Sequence, residues 1–241
     1  MRHHWHLVWG MLLLAAHGSA LAQPAKGPEP VWPTKPLRAT VTFTAGSATD
    51  IIARSLGERL LAQLGQPVVI ENRPGASGTV GAAIVARAEP NGYTLLVNSS
   101  SHTVVPSTYL KLPYDTVRDF SGVAPLADLP SVLVMAPSRG IRSAGELVAA
   151  AKAKPGTITY ASAGIGSAAQ LNAERFRLSA GFEALHVPLK GGPEALVEVM
   201  TGRVDFYFVP IAPALQLVRE GRLLAIAVGL ACSRSVPPGP A

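Results

Sequence analysis

Hydrophobic residues in this chain gather in short β-type runs, and between the runs they space themselves along one face of a helix. The first run is LRATVTF at 37–43. Behind it, Ile52, Leu56, Leu60 and Leu64 stand four apart, which predicts a helix over 49–64 with one apolar stripe. PVVIEN (67–72) predicts a second strand, the Ala-rich stretch 77–88 a helix, and YTLLVNS (93–99) a third strand. The alternation resumes further on. SVLVMA (131–136) leads to a helical pattern at 143–153, ITYAS (158–162) to one at 167–178, and ALHVP (184–188) to one at 193–200. RVDFYFV (203–209) leads to one at 212–219, and LLAIAV (223–228) is the last strand. Several runs are continuously apolar, as strands buried on both faces are. The repeated β-α order predicts an α/β fold with mainly parallel sheets and helices on both sides. The length fits two such lobes, hinged near 113–130, better than one.

The first 22 residues follow a different pattern. MRHHWH carries one formal charge, Arg2, and precedes the apolar run LVWGMLLLAA (7–16) and an A-x-A arrangement at Ala20 and Ala22. These are the three regions of a secretory signal peptide, with cleavage expected after Ala22. The apolar run is half the length of about 20 residues that a bilayer span needs. The expectation is export to the periplasm and a mature chain that is not membrane-embedded. A Pro-rich extended arm at 23–36 follows the leader.

Composition narrows the classes further. Hydrophobic residues make up 48% of the 241 residues and charged ones 15%, which excludes a disordered chain. The formal charge is +6, but the cationic residues are dispersed and aromatics are only 6%, so no nucleic-acid partner is expected. Four of the six histidines fall in the leader, leaving His102 and His186. That is too few to anchor a His-based metal site. Cys232 stands alone, so no intramolecular disulfide forms. There is no GxxxxGK[ST] loop, and the GIG at 164–166 is a weak dinucleotide signal, so no cofactor is expected.

Four strand-to-helix junctions share a small, hydroxyl- and Gly-rich composition: FTAGSATD (43–50), NSSSHT (98–103), YASAGIGSAAQL (160–171) and PLKGGPEA (188–195). In open α/β sheets, ligands bind beyond the carboxyl ends of the strands. Helix N-termini there present unpaired amides and a positive dipole end to an anion. Ser47, Thr49, Ser99, Ser100, Ser162 and Ser167 offer hydroxyls besides. Ordinary N-capping accounts for any single loop of this kind; four of them are read as converging on one cleft. A Ser/His/Asp set can also be written from Ser162 or Ser167 with His186 and Asp205, as in a secreted hydrolase, though no GxSxG elbow accompanies it.

The string from WPTKPLRATVTFTAGSATD to EPNGYTLL resembles the opening of the Bug receptors, the periplasmic solute-binding proteins of tripartite tricarboxylate transporters. KLPYDTVRDFSGVAPLA, KAKPGTITYASAGIGSAAQL, HVPLKGGPEAL and GRVDFYFVPIAPAL are similar to later blocks of that family, in the same order. The resemblance covers 32–228. It implies a type II periplasmic-binding-protein fold whose two lobes close on a small carboxylate, a di- or tricarboxylate or an aromatic acid. It also implies delivery to a cognate membrane permease, with no catalysis, cofactor or metal. Carried over by position, the family's ligand loops fall on Thr44, Ala45, Gly46, Ser47, Ala48 and Asp50, then on Ser99 and Ser100. The later loops fall on Ser162, Gly164, Gly166, Ser167 and Gln170, on Lys190 and Gly191, and on Val209 at a strand end. Thr44 and Ser47 depart from the family's usual FPAGG, and Val209 stands where many members have Asp.

These readings divide the chain into leader (1–22), arm (23–36), first lobe (37–122), second lobe (123–222), and a return strand with an aberrant tail (223–241). The tail GLACSRSVPPGPA has no periodicity where the family continues with further helices. The expectation is a truncated C-terminus, with part of the first lobe missing. A non-functional receptor remnant is the alternative that this ending raises.

Overall fold

The computed structural model describes residues 31–229. The expected leader, most of the arm and the tail with Cys232 lie outside the described residues. From Lys35 onward the described chain belongs to one unit, built around two sheets.

The smaller sheet forms the first lobe. Its strands are β1 (Leu37–Val41), β2 (Val68–Asn72) and β3 (Thr94–Val97), in the order β2-β1-β3. Both pairings are parallel, with Leu37 beside Val68 and Arg38 beside Thr94. Helices α1 (Ala48–Leu64), α2 (Thr79–Ala86) and α3 (Ser101–Thr108) connect or follow these strands. The core here is small: Ala39, Val41, Ala53 and Val97 are buried, with Val68, Ile70 and Leu95 packed against them.

The second lobe holds β4 (Ser131–Met135), α4 (Ala144–Ala153), β5 (Thr159–Ser162), α5 (Ala168–Ala180) and β6 (Leu185–Pro188). It continues with α6 (Gly192–Met200), β7 (Phe206–Pro210), α7 (Ile211–Arg219) and β8 (Leu224–Gly229). The strand order is β6-β5-β7-β4-β8. β5 is parallel to both its neighbours, whereas β4 runs antiparallel to β7 and β8. The strand predicted at 223–228 is therefore an edge strand of this larger sheet, with Gly229 opposite Ser131.

The continuous apolar runs have their reason in this sheet, which is buried on both faces. Side chains alternate along β4: Val132 and Val134 enter a cluster with Leu196 and Val199 of α6. Leu133 and Met135 enter the opposite cluster with Leu147 of α4 and Ala173 of α5. β7 alternates likewise, sending Tyr207 and Val209 to the first cluster and Phe206 and Phe208 to the second. Phe206 and Phe208 meet nearly edge to face, with ring centroids 6.3 Å apart. Truncating a buried Phe at such a position costs about 3–5 kcal/mol, so this lobe is firmly specified.

Two local structures differ from the periodicity. The helix expected from 77 begins at Thr79, because a 3₁₀ turn at Ala76–Gly78 comes first, with φ of 44° at Ala76 and 54° at Ser77. The junction 98–103 runs into α3, which contains Pro106 and β-branched residues and so shows no helical signature in the sequence.

Candidate ligand-binding site

A cavity of about 460 Å³ lies between the two lobes. The first lobe contributes Phe43, Gly46 to Thr49, Ile52 and Leu96 to Ser100; the second contributes Ser131, Ala163, Ser167 to Ala169, Gly192, Pro193, Tyr207 to Pro210 and Pro213. The crossing segment adds Ala124 to Leu129. Four helices thus begin at this cavity: α1 after Ser47, α3 after Ser100, α5 after Ser167 and α6 after Gly191. Among the described residues, no lysine or arginine lines it, and Asp128 is the only charged side chain there. An anion there meets first-turn amides, hydroxyls and helix dipoles rather than an ammonium or guanidinium.

The first-lobe side is built around α1. Ser47, with extended backbone, accepts a hydrogen bond from the Asp50 amide at 3.3 Å. The Ile51 amide bonds the Ser47 carbonyl, which leaves the amides of Ala48 and Thr49 without an intrahelical partner. Both residues line the cavity. Asp50 is only 3% exposed and faces away from it, into the loop. Its carboxylate accepts from the Gly46 amide (2.9 Å), Asn72 Nδ2 (2.9 Å) and Arg54 Nε (3.1 Å). Asn72 Nδ2 also donates to the Phe43 carbonyl at 3.0 Å. Burial opposes ionisation of Asp50, but the Arg54, Gly46 and Asn72 bonds outweigh it and hold the carboxyl below its ordinary value. Asp50 therefore fixes the shape of the loop.

The second-lobe side repeats the cap. Ser167 is 3% exposed, has extended backbone and accepts from the Gln170 amide. The Leu171 amide bonds the Ser167 carbonyl, so the amides of Ala168 and Ala169 stand at the cavity as those of Ala48 and Thr49 do. Gln170 is turned inward: Oε1 accepts from the Gly166 amide at 2.6 Å, and Nε2 lies 3.4 Å from His186 Nδ1. Below Gly192, burial pushes the Tyr207 hydroxyl well above its ordinary pKa, so Tyr207 offers a neutral hydroxyl.

Of the residues singled out in the sequence, Gly46, Ser47, Ala48, Thr49, Ser99, Ser100, Ser167 and Val209 line this cavity. Thr44 and Gly191 pack against each other between the lobes, and Thr44 Oγ1 is buried without a hydrogen-bond partner. Ala45 faces a surface hollow beside Pro193 and Leu217. Gly164 and Lys190 line a second hollow between the lobes, and Gly166 packs on Thr108. Ser162 is fully buried, with Oγ 2.6 Å from His186 Nε2. The Ser/His/Asp set is not assembled: Asp205 bonds Thr159 and pairs with Arg139 instead. Among the described residues, no group of three His, Cys, Asp or Glu side chains is placed to hold a metal ion, and no helix is long and apolar enough to cross a membrane. The strand end 208–210, expected as a contact, lines the cavity through Phe208, Val209 and Pro210, whereas the crossing segment and the lining from Ile52, Tyr207 and Pro213 carried no signal in the sequence.

Comparison with known proteins places this architecture. Residues 52–236 match the model of the tripartite tricarboxylate transporter family receptor. Protein BugT of Bordetella pertussis is 36% identical over 199 residues, which is 82% of this chain and 61% of that protein. Among solved structures, Rpa4515 of R. palustris with adipate has a TM-score of 0.81 at 32% identity, over 83% of this chain and 67% of that one. MatC from Rhodopseudomonas palustris with bound malate has a TM-score of 0.75 at 28% identity, over 83% of this chain and 68% of that one. The chain spans about three fifths of the length of the curated relatives it matches. The match runs over well over half of its residues, and the chain belongs to the receptor family of the tripartite tricarboxylate transporters.

Proposed function

We propose that this chain forms the binding part of an exported receptor that captures a small carboxylate between its lobes, for delivery to a membrane permease. The observation that carries this reading is the convergence of four helix N-termini, two from each lobe, on one cavity of about 460 Å³ that no lysine or arginine among the described residues lines. A volume in this range is ordinary for small-ligand sites of about 300–1,000 Å³. Helix N-termini bind carboxylates through amides and dipole together. Apolar lining from Phe43, Ile52, Leu126, Phe208 and Val209 encloses a hydrocarbon or ring body between the carboxylate contacts. The ligand class is a di- or tricarboxylate or an aromatic acid, and the family relatives with adipate and malate support the dicarboxylate side of that range.

Ser47, Ser99, Ser100 and Ser167 offer hydroxyls at this site, as do Thr49, Ser131 and Tyr207, with the amides of Ala48, Thr49, Ala168 and Ala169 beside them. A thermal-shift screen against aliphatic di- and tricarboxylates, aromatic acids, amino acids and sugars tests the reading. Stabilisation by one or more carboxylates is expected. A hit confined to sugars or to other uncharged ligands overturns it.

A further inference from the structure

The second hollow between the lobes, of about 380 Å³, is separated from the first by Phe43 and Ala163, which line both. At its edge the lobes are joined by a direct bond: the Ser77 hydroxyl donates to the Ile165 carbonyl. Ser77 is buried in the 3₁₀ turn before α2, and both Ser77 and Ala76 carry a Cβ in the left-handed region, with φ of 54° and 44°. Backbone held there in non-Gly residues persists only where its surroundings over-determine it. The partner side is shaped to match. Gly164 has φ 114°, and a Cβ built on it would lie 2.9 Å from Ser77 Oγ. The loop beyond is tied to itself: the Ser167 amide donates to the Gly164 carbonyl at 3.2 Å and the Gly166 amide to Gln170 Oε1. A pull on Ile165 is thereby passed to Ser167 and the start of α5, which stand at the ligand cavity.

We infer that Ser77 is a positioning residue for ligand capture. Its hydroxyl clasps the 164–167 loop of the second lobe to the first and holds the α5 N-terminus over the cavity, while Ser77 itself lies outside the lining and touches no ligand. This inference rests on the carboxylate reading only for its binding readout. A clasp of this kind acts on how long the lobes stay closed and not on which ligand they close over.

The test uses Ser77→Gly, which removes the hydroxyl and also relieves the left-handed backbone, with Ser77→Ala beside it. Affinities for several carboxylates should fall by one common factor, about three- to tenfold for one neutral hydrogen bond, through faster dissociation. The unliganded melting temperature of Ser77→Gly should not fall. A merely structural serine would lower stability and leave the ratio of affinities among closed-state ligands without this pattern. A second readout needs no ligand. Spin labels at Arg59→Cys and Lys152→Cys, in a chain carrying Cys232→Ser, report the distance between lobes. Ser77→Gly should broaden that distribution toward longer distances. An unchanged distribution overturns the clasp, as does an affinity loss confined to one ligand. If no carboxylate binds the wild-type chain, the carboxylate reading fails, and the distance measurement alone decides the clasp.

Discussion

Gly191 lies so close to Thr44 that a Cβ built on it would stand 2.0 Å from Thr44 Oγ1. The two residues come from different lobes: Thr44 from the loop before α1, Gly191 from the N-cap of α6. Gly191 has φ −174°, extended backbone that any residue adopts, so only the contact demands glycine there. Gly191→Ala should leave the lobes folded and keep them from closing. Overpacking of this kind costs about 1–3 kcal/mol, which is about a five- to 150-fold loss of affinity in a calorimetric titration. Thr44→Ala in the same chain should restore part of it, because the Thr44 Cβ remains at 3.0 Å. Wild-type affinity in Gly191→Ala alone would count against the contact as a closing surface.

Two serines cap helices in the same way but stand in different places. Ser47 accepts from the Asp50 amide at 3.3 Å, and Ser143 accepts from the Glu146 amide at 3.1 Å. Replacing either by Ala should cost about 1 kcal/mol of stability. Only Ser47→Ala should also weaken carboxylate binding, since Ser143 does not line the cavity. Equal effects on binding would remove Ser47 from the site.

Among the described residues, Asp128 is the one charged side chain along the cavity. A like charge near a bound anion is unfavourable and is screened by salt. Asp128→Asn should raise affinity for dianionic ligands a few-fold at low ionic strength and by less at high salt. A drop in affinity for every ligand would show Asp128 holding a donor group of the ligand instead.

His186 ties stability to pH. Burial holds its imidazole below the ordinary pKa, and Glu174 acts in the opposite direction without reversing this. The ring stacks on Tyr160 with centroids 4.9 Å apart and bonds Ser162, so the folded chain favours the neutral form. The unfolded chain takes up a proton from about pH 6.5 downward. Stability is therefore fully present above that value and falls as pH drops from it toward the lower folded pKa. His186→Gln should show a smaller change in melting temperature between about pH 7.5 and 5.5 than the wild type. His102, also lowered by burial, stays in both proteins and contributes equally. Identical slopes would contradict this role.

The strands and most helices were legible because each carries its own periodicity. Ile52, Leu56, Leu60 and Leu64 mark α1, and the apolar runs of β4 and β7 mark a sheet covered on both faces. The four loops were legible from composition, and Ser47, Ser99, Ser100 and Ser167 do meet at one cavity. Pairing was not legible: nothing local in LLAIAV says that β8 lies antiparallel to β4. The crossing segment 124–129 was missed because it has no period, and α3 because Pro106 hides it. Asp50, Gln170 and Ser162 sit in the recognised loops yet turn into them, since a buried polar side chain must be hydrogen-bonded and the loop's own backbone and His186 are its nearest partners.

On the proposed reading, amides and hydroxyls at the converging helix N-termini hold a carboxylate. The direct measurement is a calorimetric titration of the wild-type chain with the most stabilising acid from the screen and with its neutral primary amide. The acid should bind saturably and the amide at least tenfold more weakly, with Ser47→Ala and Ser167→Ala narrowing that gap. Equal affinity for acid and amide, unaffected by either serine, would contradict it.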